Sequence, residues 1–168
     1  SGTDHHYDFK ILQAVMEVNE DQKTVLFPRM LNFFRGNLQG KKIAVWGLAF
    51  KPDTDDIREA PALYMIRALL AAGATVSAYD PEAMENVKGV FGEQINYATD
   101  EYTALLQADA LLICTEWSIF RNPNFRAMKD LMADTVIFDG RNLFDLDELT
   151  EKGFYYSSIG RKTIHRTS

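Results

Sequence analysis

The sequence predicts an α/β fold: a parallel sheet with helices on both faces, preceded by a helical segment. Three observations predict it. Short apolar runs of strand type recur at residues 43–46, 75–79, 95–98, 110–114 and 135–138. Between most of them lie stretches with helical start and stop signals, and strands alternating with helices imply a parallel sheet covered on both faces. One strand ends in a glycine followed by a charged loop, which in an open α/β sheet is where ligands sit.

The elements follow in order. Residues from about 7 to 35 place Leu12, Val15 and Met16, then Phe27, Met30, Leu31 and Phe34, at three- and four-residue steps, the spacing of a helix. Pro28 is expected to kink or split it. Its aromatic stripe has to pack on the domain that follows or on another chain. After a short break at 37–40 comes the strand at 43–46. A helix from 60 to 72 follows, with Pro61 suited to its first turn and Gly73 to its end. The strand at 75–79 leads to Asp80 and Pro81, which are expected to cap and open a short helix. Beyond the short strand at 95–98, Asp100 is expected to cap a helix running to Gln107. The strand at 110–114, a helix at 124–132 and the strand at 135–138 come next. A last helix spans 145–152, with an edge strand at 154–156. The tail after Gly160 is polar and expected to be loose.

Composition narrows the function classes. The 168 residues are 46% hydrophobic and 25% charged, as in a globular chain. A net charge of -6 and a pI near 5.0 argue against a nucleic-acid partner, which would need a basic patch. No apolar run approaches the roughly 18 residues of a membrane span, so no membrane partner is expected. A single cysteine excludes an internal disulfide and fits a reducing compartment, so a cytoplasmic location is expected. Cys114 ends an apolar run and reads as a small buried hydrophobe, with nothing nearby to activate a thiol.

The candidate site residues gather around the first strand. Gly47-Leu48-Ala49-Phe50-Lys51 is neither G-x-G-x-x-G nor a Walker loop. Without the further glycines the backbone cannot approach a pyrophosphate closely, so a side chain must reach it, and Lys51 is the candidate. By spacing alone it is equally a solvated surface lysine. Asp53, Asp55 and Asp56 fail the calcium-loop pattern, because the twelfth position is Tyr64. They read instead as residues that fix the loop backbone, and no metal site is assigned. Arg58, beside Glu59, is either a surface ion pair or a guanidinium held for a phosphate. Arg141 follows the strand end Asp139-Gly140 and is expected at the same edge as Lys51. Thr115-Glu116-Trp117 ends another strand there, with Trp117 read as a packing residue. Asp80 is read as a cap. His5, His6 and His165 form no catalytic pairing, and no catalytic residue is assigned.

At this point the motifs resemble a known family. The stretch Gly-Leu-Ala-Phe-Lys-Pro-Asp-Thr-Asp-Asp-Ile-Arg-Glu-Ala-Pro-Ala at 47–62 is similar to the signature that opens the C-terminal domain of the UDP-glucose/GDP-mannose dehydrogenases. Ala78-Tyr79-Asp80-Pro81, Thr115-Glu116-Trp117 and Phe138-Asp139-Gly140-Arg141-Asn142 are similar in the same order. Thr115-Glu116-Trp117 leans toward the branch acting on UDP-glucose. The resemblance implies a Rossmann-like UDP-sugar-binding domain at 41–160. It also implies the end of a central, dimer-forming helix at 1–36 and a tail at 161–168. It implies NAD as cofactor, UDP-glucose as substrate with UDP-glucuronate as product, and a homodimer. By motif, Phe50, Lys51 and Arg141 would contact the UDP-sugar and Arg58 would reach NAD.

The chain departs from the family in one large respect. It carries no N-terminal NAD fingerprint, and Cys114 lies outside the motif of the family's catalytic cysteine. It is therefore expected to be a C-terminal fragment, inactive alone and partnered in the whole protein by the missing NAD-binding domain. A dehydrogenase of the same family acting on GDP-mannose or UDP-N-acetylmannosamine is an alternative. A stand-alone nucleotide-binding module is another.

Overall fold

The computed structural model describes residue 10 and residues 20–166. Six strands form one sheet: β1 (Lys42–Trp46), β2 (Thr75–Tyr79), β3 (Asn96–Tyr97), β4 (Ala110–Ile113), β5 (Val136–Asp139) and β6 (Tyr155–Ser157). They lie in the order β3-β2-β1-β4-β5-β6, and every neighbouring pair is parallel. The predicted α/β class holds. The chain runs outward from β1 in one direction and from β4 in the other, and with crossovers of the usual right hand that order sends the connecting helices to opposite faces. Strands β4 and β5 are buried along their whole length, and β1 along all but its first residue. That is why they read as continuous apolar runs rather than alternating ones.

Among the described residues five α-helices accompany the sheet: α1 (Phe27–Phe33), α2 (Pro61–Ala71), α3 (Met84–Phe91), α4 (Phe125–Leu131) and α5 (Leu146–Lys152). Their starts obey local chemistry. Pro61 opens α2 at a position whose missing N–H costs nothing. Asn124 caps α4 by accepting from the amide of Ala127 at 3.0 Å. Gly153 closes α5 in the left-handed conformation.

Helix α1 continues directly from a π-turn at Gln22–Leu26. Pro28 does not split the helix; the change of hydrogen-bond register falls just before it, and the proline takes the first turn of α1. Leu26 and Met30 are fully buried, and Phe33 meets Phe138 and Tyr155 at ring-centroid distances of 5.8 and 4.6 Å. Arg29 donates to the Ser158 carbonyl at 2.6 Å. The described part of the aromatic stripe thus packs on this same domain. The earlier part of the stripe, at Leu12, Val15 and Met16, lies outside the described residues.

Two elements differ from expectation. The helix predicted from Asp100 to Gln107 is a single 3₁₀ turn, Thr103–Leu105. Its N-cap is Tyr102 rather than Asp100, which accepts from Thr103 N–H at 2.7 Å from two residues further back. Gln107 then leaves helical space with φ 58° and donates to the Leu131 carbonyl, which turns the chain into β4. The tail after Gly160 is not loose over its described part. Ile164 pairs antiparallel with Tyr156, and Arg161 donates to the Tyr156 hydroxyl and the Phe144 carbonyl, both at 2.9 Å. Polarity concealed this, because Arg161 is spent on internal acceptors.

Candidate functional site

The direction of chain travel reverses between β1 and β4, and a crevice at the carboxyl ends of those strands is where such sheets take ligands. Three loops meet there, after β1, β4 and β5.

The β1 loop is held from both sides. Gly47, at φ 92°, donates to the Tyr79 carbonyl at 2.9 Å. A Cβ at this position would lie 2.5 Å from Thr115 Cβ, so only glycine allows the loop to pass the end of β4. Thr115 in turn donates its hydroxyl to the Ala49 carbonyl at 2.7 Å. Asp80, fully buried at the end of β2, accepts from Leu48 and Ala49 N–H at 2.7 and 3.0 Å and from Trp117 Nε1 at 3.0 Å, all through Oδ2. Its Oδ1 accepts from Glu82 and Ala83 N–H, both at 2.8 Å. Asp80 is therefore not the helix cap predicted: α3 starts later, at Met84 after Ala83, and Asp80 fixes the turn ahead of it while fastening the glycine loop. A carboxylate offers about four lone-pair sites, so five donors leave none for a ribose hydroxyl.

The predicted site residues come together in part. Phe50 is half-buried and Lys51 exposed on the β1 loop. Phe50 N–H donates to the Asp56 carbonyl at 2.8 Å, and Arg141 Nη2 reaches the Phe50 carbonyl at 3.5 Å. Arg58 grips both oxygens of Asp56, with Nε to Oδ1 at 3.0 Å and Nη2 to Oδ2 at 2.8 Å. The partner of Arg58 is thus Asp56, two residues back. Its side chain remains 88% exposed. The Arg58 side-chain and backbone hydrogen bonds pull the Asp56 carboxyl down to about 2, Lys51 adding a smaller effect of the same sign. Asp56 also raises the Arg58 guanidinium above its ordinary value. Thr54 accepts from Asp56 N–H at 3.2 Å, and Asp56 from Arg58 N–H at 2.9 Å, so these residues do fix the loop backbone.

Arg141 is the buried member of the set, its side chain only 8% exposed. Nε donates to the Cys114 carbonyl at 2.9 Å and lies 3.4 Å from Glu116 Oε2. The guanidinium thus ties the loops after β1, β4 and β5 together. Below it, Asp139 is buried and accepts from Arg141 and Leu143 N–H and from the Tyr156 hydroxyl at 2.6 Å. Burial pushes the Asp139 carboxyl up, and those hydrogen bonds pull the other way. Burial likewise pushes the Cys114 thiol up to about 12, as its reading as an inert hydrophobe requires. Trp117 is buried, as a packing residue should be, with its indole N–H spent on Asp80. Among the described residues no group of three His, Cys, Asp or Glu is placed to hold a metal, and no helix is long and apolar enough to cross a membrane.

Strain concentrates at this edge. Among the described residues, five non-glycine residues have positive φ, and Asp53, Glu59 and Asn142 of these lie in the β1 and β5 loops. Asn142 is held by exchanging two 2.8 Å hydrogen bonds with the backbone of Ile159. One contributor went unseen in the sequence. Gln22, from the π-turn, buries its side chain against the loops after β4 and β5. A glutamine in a helix carries no signal of such a reach.

A doubly wound sheet with cations at its switch-point edge defines a nucleotide-binding type of domain. Residues 44–146 match the UDP binding domain of the UDP-glucose/GDP-mannose dehydrogenase family. The chain belongs to that family, as its C-terminal, UDP-binding portion. It is 44% identical over 161 residues to UDP-glucose 6-dehydrogenase TuaD of Bacillus subtilis, covering 96% of this chain and 35% of that protein. Two solved structures are similar, each 31% identical over 82% of this chain. One is a UDP-glucose dehydrogenase from the archaeon Pyrobaculum islandicum, with TM-score 0.64 and 29% of its chain covered. The other is an NDP-N-acetyl-D-galactosaminuronic acid dehydrogenase from Methanosarcina mazei, with TM-score 0.69 and 28% covered. The chain spans about a third of the length of the curated relatives it matches.

Proposed function

We propose that this chain binds the UDP part of UDP-glucose for an NAD-dependent UDP-glucose 6-dehydrogenase, which oxidises the sugar to UDP-glucuronate. The observation that carries the reading is the family's UDP-binding match laid over an edge that presents Lys51 and Arg141 at the switch point. Lys51, exposed on a loop whose backbone is pinned by Asp80 and Thr115, supplies a mobile cation to a diphosphate. Arg141 supplies a fixed one. Phe50, half-buried on the same loop as Lys51, contacts the UDP-sugar beside them. Arg58, held outward by Asp56, faces the NAD carried by a preceding domain.

In this reading the division at 1–36, 41–160 and 161–168 separates the helix that builds a homodimer, the UDP-sugar domain and the tail. The chain contributes substrate binding and no chemistry. NAD, held by the rest of the protein, would supply the hydride acceptor, and the nucleophilic thiol would come from there too. The relatives named UDP-glucose 6-dehydrogenase favour UDP-glucose over other nucleotide sugars, and a cytoplasmic location follows from that substrate.

The test is calorimetric titration with UDP and, separately, GDP, repeated on Lys51→Ala. Binding of UDP in preference to GDP, weakened about tenfold by loss of one charge-assisted contact, is the expected result. Preference for GDP moves the protein to the mannose branch. Binding unaffected by Lys51→Ala removes the proposed edge.

A further inference from the structure

Gln22 enters the sheet edge from a separate element. Its side chain is fully buried; Nε2 donates to the Cys114 carbonyl at 3.2 Å and reaches the Gly140 carbonyl at 3.5 Å. Oε1 has no hydrogen-bond partner. Leaving a buried amide oxygen unpaired is unfavourable, and a side chain kept there asks for a reason. Gly140 is shaped to admit it, since a Cβ at that position would lie 2.5 Å from Gln22 Cδ. Gln22 also opens the π-turn, a form that is rare overall and frequent at functional sites. The Cys114 carbonyl it contacts is the same one that accepts from Arg141 Nε at 2.9 Å.

We propose that Gln22 is a positioning residue that joins the helix before β1 to the substrate edge and fixes Arg141 through their shared carbonyl. A carbonyl oxygen has two lone pairs, and two donors on it hold its plane. With the Gln22 amide gone, the Cys114 peptide is free to tilt and the guanidinium loses its reference. The helix and the UDP edge thereby become mechanically coupled. This inference rests on the reading of that edge as the UDP site.

The test compares wild type with Gln22→Met, which keeps the length and removes the amide. In nitrogen-15-labelled protein the Arg141 Nε–H signal, assigned by its loss in Arg141→Lys, is expected to move in Gln22→Met. Its exchange with water is expected to rise about tenfold, the equivalent of one weakened hydrogen bond. UDP affinity falls several-fold, and that fall vanishes in the Arg141→Lys background, which a merely structural role would not produce. An unmoved Arg141 Nε–H in folded Gln22→Met overturns the proposal whether or not UDP binds. A moved signal in a chain that binds no UDP keeps the coupling and sinks the UDP reading instead. If Gln22→Met does not fold, the isosteric Gln22→Glu serves the same comparison.

Discussion

Among single residues, Asp80 and Gly47 fix the edge that the cations decorate. Asp80→Asn keeps the shape but turns an NH₂ toward N–H donors; it is expected to cost about 3 kcal/mol in urea unfolding, with the β1 loop losing amide protection first. Gly47→Ala is expected to cost a similar amount, about 3 kcal/mol, from the clash with Thr115 and the positive φ. Half of the Asp80 role was legible, because Glu82 and Ala83 are its sequence neighbours. The other half was not, because Leu48, Ala49 and Trp117 lie 32, 31 and 37 positions away. Asp56 gives a pH dependence. Its folded pKa is lowered from 3.8 to about 2, so the Arg58 clamp contributes fully above the unfolded value and is lost as pH falls through the window between them. The Arg58 Nε–H signal is expected to broaden across that window and to be unchanged from pH 5 upward.

At the scale of elements, the helix with both a start and a stop signal was legible to its ends, and the one after Asp100, with a start and no stop, was not. Pro61 with Gly73 announced α2, and the stretch read at 124–132 met α4, each within a residue or so. The stretch after Asp100 had a start signal but too little length before β4, and the turn at Gln107 decided it. Asn124→Ala is expected to lower stability by about 1 kcal/mol, read from the urea midpoint at constant slope. Ending the chain at Gly160 removes the Arg161 hydrogen bonds and the Ile164 pairing. It is expected to cost about 3 kcal/mol and to loosen Asp139 beneath Arg141 through Tyr156. The gathering of Lys51, Arg58 and Arg141 near one edge could be read from strand ends. What each guanidinium grips could not, because that depends on loop closure rather than on strand order.

As a whole molecule the chain is the UDP-binding portion of its family, about a third of the length of its curated relatives. The purified chain is expected to produce no NADH from UDP-glucose and NAD, since Cys114 is sealed in β-sheet core with its thiol pushed to about 12. Sustained NADH formation, followed by absorbance, would contradict this. The outer margins of the sheet have a separate consequence. On one side β6 is covered by the antiparallel bridge from Ile164; on the other, β3 is only two residues long. Among the described residues neither margin offers a long row of free backbone groups to template another strand. Copies of this domain are therefore expected to associate through helices and loops rather than by strand addition.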